Sequence, residues 1–209
     1  MRPDKVPAGA KKLTWTTAKD TTVICFATDT HQPAFLKNGK DTIDFDFTIE
    51  SVIFKSANGN KLNGWLLKPK SKTPTITILH LHGTDGYLLN QYQLMVPLLK
   101  SGLQIFLFDY SGYGFSEGIA TRKNILTDAL SAFDYLKGRA DVTGTKFVIY
   151  GQSLGGHLAA TVGMQKQNNL DGLVIEGGYS SDKDAASMVA GIFGRVFVKE
   201  MYSAKKAIS

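Results

Sequence analysis

The 209 residues contain a single cysteine, Cys25. One thiol allows no disulfide within the chain and no cysteine metal cluster, and it is expected to pack as a small hydrophobe. Long apolar runs are missing too, since nothing approaches the roughly 18 residues of a membrane-spanning helix. Met1 to Leu13 carries Arg2, Lys5, Lys11 and Lys12 with no apolar segment behind them. No signal peptide is read there, and the expected location is cytoplasmic, although a chain whose signal had been removed would look the same. Histidine is sparse: His31, His80, His82 and His157 are the full set, and no metal-ligand spacing links them. No internal repeat or low-complexity tract interrupts the chain.

Acidic residues are outnumbered, 18 against 24 lysines and arginines, which gives a net charge of +6. The lysines are scattered. Their small clusters (Lys68, Lys70 and Lys72; Lys205 and Lys206) have no interleaved aromatics, so they read as solvated surface rather than a nucleic-acid or anionic-membrane site. With 43% hydrophobic and 20% charged residues, the length suits one globular core.

What the chain does contain is a strand-helix alternation. Residues 1–47 carry little pattern beyond a strand at Thr21 to Ala27 and an extended arm at Gln32 to Phe35. From residue 48 a hairpin is predicted, Glu50 to Lys55 and Lys61 to Leu67, turning at Asn58-Gly59 with Trp65 as a core anchor. Strands follow at Thr75 to His82, Leu103 to Phe108, Phe147 to Tyr150 and Leu170 to Glu176. Between them, Leu88, Tyr92, Met95, Val96 and Leu99 share one helical face, as do Leu126, Ala129, Leu130, Phe133 and Leu136. Such alternation implies a mostly parallel sheet covered on both faces, with ligands at the carboxyl ends of the strands. After the last strand, Ser181 and Asp184 are spaced as a capping box, with an apolar stripe behind them at Ala185, Met188, Val189, Ile192 and Phe193. That stripe suits either a core helix or a cap over the site.

The densest chemistry lies at Gly151-Gln152-Ser153-Leu154-Gly155, where a strand runs straight into a helix. A strand-turn-helix around Gly-x-Ser-x-Gly is the setting of a nucleophile elbow. To present its hydroxyl at the tip, Ser153 must take a strained conformation with positive φ. Gly151 and Gly155 leave room where the chain reverses, and the helix that starts at Leu154 aims free N–H groups at a developing oxyanion.

Two other strand ends carry marked residues: His82-Gly83-Thr84-Asp85-Gly86, and Asp109-Tyr110-Ser111-Gly112-Tyr113-Gly114-Phe115-Ser116-Glu117-Gly118. With the elbow they resemble the α/β-hydrolase superfamily. The nearest likeness is to the α/β-hydrolase-domain group that includes serine aminopeptidase-like and acyl-protein thioesterase-like proteins. It covers residues 48–209, leaving 1–47 as an N-terminal extension. The resemblance implies an α/β-hydrolase fold with helices on both sheet faces and an N-terminal antiparallel hairpin. It makes Ser153 the nucleophile and the backbone N–H groups of Leu154 and Thr84 the oxyanion donors; many members have Asn where Thr84 stands. Asp109 and Tyr110 are expected to shape the neighbouring wall. No cofactor is implied, and the substrate would be a small-molecule, acyl-protein or peptide ester, thioester or amide.

One departure is large. The resemblance places the triad acid and histidine after Ser153, on strands that residues 1–209 do not contain. His157 is the one histidine beyond Ser153, four residues along the elbow helix, and is expected to pack rather than act. His82 is expected to order its loop and His80 to be a satisfied core histidine. Glu176 ends a strand where some hydrolases carry their acid, but no base stands between it and Ser153. The expectation is a C-terminally truncated hydrolase, inactive as given, whose last strand is an open edge suited to self-association. The rival expectation is a non-catalytic binding or scaffold protein on the same fold.

Overall fold

The computed structural model describes residues 3–7, 9–16, 21–181, 183, 184, 186 and 203–207. The apolar stripe from Ala185 to Phe193 lies almost wholly outside them, with only residue 186 of that span described. Asp184 donates its N–H to Ser181 Oγ at 3.1 Å, one of the two bonds of the predicted capping box, while its carboxylate accepts the Ser180 hydroxyl.

Six strands form the main sheet: β5 (Phe47–Lys55), β6 (Lys61–Pro69), β7 (Ile76–Leu81), β8 (Leu103–Phe108), β9 (Lys146–Gln152) and β10 (Gly172–Glu176), in the order β10-β9-β7-β8-β6-β5. β5 and β6 are the antiparallel hairpin, with Gly59 at φ +96 in the predicted turn. β6 also runs antiparallel to β8, and all pairings from β8 to β10 are parallel. Helices α1 (Leu88–Leu99), α2 (Arg122–Lys137) and α3 (Leu154–Lys166) connect the parallel strands. β7 leads on to β8 on one side, whereas its other neighbour β9 leads on to β10 on the opposite side. Connections leaving β7 and β9 therefore diverge, and a crevice opens between their carboxyl ends, where ligands of open α/β sheets bind.

The two sheet faces have separate cores. On one, Leu79, Phe106, Phe108, Phe147 and Ile149 pack with Ile125, Ala129 and Phe133 of α2 and Leu158 of α3. On the other, Trp65, Leu67, Ile105 and Leu107 pack with Leu88, Tyr92 and Met95 of α1. The N-terminal residues join this second core. They fold into a four-stranded antiparallel sheet, β1 (Lys12–Thr16), β2 (Thr21–Phe26), β3 (Pro33–Lys37) and β4 (Asp41–Thr42), whose Ile24, Phe26 and Phe35 point into it. Phe35 contacts both Tyr92 (ring centroids 5.5 Å apart) and Trp65 (6.2 Å). The extended arm expected at Gln32 to Phe35 thus lies largely in β3, a strand paired to β2. Cys25 is free and only half-buried, on the face of β2 turned from that core.

α3 is buried on every side from Leu154 to Gly163, as befits a helix wedged between the sheet and its surroundings. α2 instead shows one buried stripe and opens on Thr121, whose side chain accepts the Asn124 N–H. Thr121→Ala should lower the free energy of unfolding by about 1 kcal/mol, read as a shifted urea midpoint with an unchanged slope. Among the described residues β10 pairs only with β9, and Leu173, Val174 and Ile175 are each more than a third exposed.

Candidate active site

β9 ends at Gln152 and α3 begins at Leu154, so Ser153 alone makes the reversal between them. It is exposed, at φ 54 and ψ −115. A side chain held at such a φ costs about 1–3 kcal/mol, so the surroundings must over-determine it. They do so through the backbone. The Ser153 N–H donates to the Glu176 carbonyl at 2.8 Å, and the Ser153 carbonyl accepts from Gly156 (2.9 Å) and His157 (3.2 Å). The flanking glycines are steric necessities: a Cβ on Gly151 would sit 2.2 Å from the Gly155 carbonyl oxygen, and one on Gly155 would sit 1.8 Å from the Leu81 oxygen. The N–H of Leu154, first in its helix, donates to no group among the described residues.

The loop after β7 lies against this turn. A Cβ on Gly83 would be 3.5 Å from the Ser153 Cβ. Each peptide of the loop is pinned by a side chain. Tyr110 donates its hydroxyl to the His82 carbonyl at 3.0 Å, and Tyr113 donates to the Thr84 carbonyl at 3.0 Å. His82 Nδ1 lies 2.8 Å from the Gly83 carbonyl oxygen, which can only accept, so Nδ1 carries the hydrogen. A trans peptide points its N–H opposite to its carbonyl. Holding the Gly83 carbonyl therefore fixes the direction of the Thr84 N–H, which has no partner among the described residues.

Asp109 closes the other side. Its carboxylate is buried and accepts the Leu88 N–H at 2.7 Å, tying the start of α1 to the end of β8. Burial pushes this carboxyl up to about 7, against the pull of the Leu88 and Phe115 N–H groups. Gly114 must be glycine here, since a Cβ would overlap Asp109 Oδ2.

A family model for the α/β-hydrolase fold matches residues 76–198, more than half of the chain and all three marked strand ends. The chain belongs to the α/β-hydrolase fold family. Its sequence is 31% identical over 143 residues to the α/β hydrolase domain-containing protein WAV2 of Arabidopsis thaliana, covering 67% of this chain and 46% of that protein. Over 170 residues it is 25% identical to protein bem46 of Schizosaccharomyces pombe, covering 79% of this chain and 57% of that one. In three dimensions it resembles an α/β hydrolase from Vibrio vulnificus (TM-score 0.65, 22% identity, 77% of this chain and 59% of that one). It also resembles an esterase from Pyrococcus furiosus (TM-score 0.58, 20% identity, 68% and 54%). The chain spans about half the length of the curated relatives it matches.

In this α/β-hydrolase chain no histidine among the described residues is hydrogen-bonded to the Ser153 hydroxyl. His157 is fully buried in α3, with Nδ1 3.0 Å from the Tyr179 carbonyl and its ring stacked on Tyr179. His31, at φ 53, stacks on Phe115 with centroids 4.2 Å apart. His80 reaches Gln91 through Nε2 at 3.4 Å, but its Nδ1 is buried without a partner, so it is less satisfied than the sequence suggested. His82 likewise has an orphan Nε2. Burial lowers His80 to about 4 and His82 to about 3, so both are neutral. Glu176 sits beside the elbow, but its carboxylate accepts the Tyr150 hydroxyl and faces Gln152 Nε2 at 3.5 Å. The sequence reading missed Tyr113 and gave Tyr110 only a general structural duty. A hydroxyl bonded to a carbonyl 28 or 29 residues away leaves no periodic trace.

Proposed function

We propose that this chain carries the nucleophile half of a serine acyl hydrolase acting on esters, thioesters or amides. The carrying observation is the exposed, non-glycine Ser153 at φ 54 with the uncommitted Leu154 N–H directly after it. The Ser153 oxygen attacks the acyl carbon and the carbonyl electrons move onto oxygen. The Leu154 and Thr84 N–H groups hold that oxyanion, the leaving group departs with a proton, and water then cleaves the acyl-serine. Among the described residues no side chain is hydrogen-bonded to the Ser153 hydroxyl, so the chain alone is expected to turn over slowly. The named esterase relative makes a small aryl ester a reasonable first substrate.

A second reading, a non-catalytic binding or scaffold module, is favoured by one observation: among the described residues no histidine is hydrogen-bonded to the Ser153 hydroxyl. Supplying a base from solution separates the two. Hydrolysis of a short-chain aryl ester is followed with and without imidazole, for this chain and for Ser153→Ala. On the hydrolase reading, imidazole raises turnover of the native chain at least tenfold over the Ser153→Ala protein, and intact mass shows one acyl group on the native chain only. Equal rates for both proteins at every imidazole concentration, with no acylation, would leave the scaffold reading.

A further inference from the structure

Of the contacts that pin the loop after β7, one comes from outside the hydrolase core. The Gly86 N–H donates to Asp4 Oδ2 at 2.9 Å. The backbone of the same residue holds the neighbouring loop, since the Gly114 N–H donates to the Asp4 carbonyl at 2.9 Å and the Val6 N–H returns to the Gly114 carbonyl at 3.1 Å. Lys5 thereby forms a parallel bridge with Gly114, the residue whose missing side chain makes room for Asp109. Val6 is buried in the core that contains Phe26 and Trp65, so the arm is anchored one step beyond its contacts.

We propose that Asp4 is a positioning residue for the loop that presents the Thr84 N–H, and that Asp4–Val6 is a strap joining the β7–α1 loop to the β8–α2 loop. The proposal rests on the reading of Thr84 as an oxyanion donor. Gly86 joins residues 83–85 to the start of α1 at φ +80, a conformation that glycine adopts without strain. The peptide that ends in the Gly86 N–H is held at its carbonyl end by Gln91 Nε2 reaching the Asp85 oxygen at 3.4 Å, a long bond. Its N–H end is held by a carboxylate at 2.9 Å, the stronger kind of partner. Removing Asp4 leaves the joint to the weaker tether, and the freedom gained passes directly to Thr84, two residues away. Asp4 also lies near Tyr113, whose hydroxyl holds the Thr84 carbonyl. Burial, Asp85 and Asp4 together push that hydroxyl up to about 12, which keeps it a donor.

The test is residue-resolved amide exchange by NMR on the 209-residue chain and its Asp4→Ala and Asp4→Asn variants. In Asp4→Ala the Gly86 amide should exchange about tenfold faster, the size expected for losing a hydrogen bond to a charged group. The Thr84 amide has no bond to lose and reports instead by a shifted and broadened resonance, while Leu107 in β8 exchanges as slowly as before. Asp4→Asn keeps an acceptor oxygen and should fall between the two; it also serves if Asp4→Ala does not fold. Unchanged exchange at Gly86, with an unmoved Thr84 resonance, in a folded variant would overturn the strap. Imidazole-assisted ester turnover is measured in parallel, where Asp4→Ala should lower kcat several-fold and leave KM unchanged. Faster exchange with no fall in the Ser153-dependent kcat would overturn the positioning role. If no turnover depends on Ser153 at all, it is the hydrolase reading that fails, and the exchange data still decide the strap.

Discussion

Gly155→Ala is expected to remove a large part of the protein's stability, whereas Gly163→Ala, eight residues along the same helix, is expected to be neutral or mildly stabilising. At Gly155 the new methyl would meet the Leu81 carbonyl oxygen at 1.8 Å, the Leu81 carbonyl carbon at 2.5 Å and the His82 oxygen at 2.7 Å. These are backbone atoms of the strand at the centre of the sheet, so no rotamer relieves the contact. Either α3 lifts off, or β7 moves and strains its ladders with β8 and β9 at once. Inserting a methylene into a tight core costs about 1–3 kcal/mol where side chains can shift. With only backbone to move, a loss above about 4 kcal/mol is expected, a large part of the 5–15 kcal/mol that holds a typical domain together. At Gly163 the methyl would touch only side-chain carbons of Leu170 and Leu173, at 3.4–3.6 Å. There alanine's better helix propensity is worth up to about 1 kcal/mol. Urea unfolding by circular dichroism compares the two, and a Gly155→Ala protein as stable as Gly163→Ala would show that α3 does not pack on β7 as closely as described.

The same contrast explains what could be read in the sequence. β8 falls on Leu103–Phe108 as predicted because a parallel strand buried on both faces is a continuous apolar run, visible without knowing its partners. The elbow was visible because its requirements are local: two glycines, a serine, a strand before and a helix after. Of the N-terminal strands only β2 was legible, read at Thr21 to Ala27; β1 and β4 were not, and the four-stranded pairing was hidden because it is set by contacts with Trp65 and Tyr92 far along the chain. An unpaired arm and a paired strand share one backbone conformation, so Gln32 to Phe35 could be recognised as extended but not as part of the paired strand Pro33–Lys37. The supports of the β7–α1 loop were least legible. Tyr110, Tyr113, Asp109 and Asp4 each act on a backbone group at least 21 residues away, and only the fold brings them together.

Acid should unfold this protein through two of its histidines, with Asp109 resisting. His80 and His82 are held neutral by burial, at about 4 and about 3 against an ordinary 6.5. Below pH 6.5 the unfolded chain binds protons at both positions that the folded chain refuses, so stability falls as pH falls. Each histidine contributes about 1.4 kcal/mol per pH unit, or about 7 kcal/mol for the pair by pH 4. Asp109 works in the opposite direction. Its folded value of about 7 lies above the ordinary 3.8, so between those limits the folded state keeps a proton that the unfolded chain has released. Its contribution therefore grows as pH falls from 7 to 4, by about 4 kcal/mol. Two histidines oppose one carboxyl, so a net loss of stability remains as pH falls. Urea midpoints at pH 7, 5.5 and 4 measure it, and two variants separate the terms. Asp109→Asn removes the opposing group and should steepen the acid loss towards 7 kcal/mol, about what the histidines alone would give. His82→Gln removes one of the two destabilising protonations, so its stability should change little, or rise, as pH falls. Midpoints that move in parallel for all three proteins would mean that neither the histidines nor Asp109 governs the acid limit.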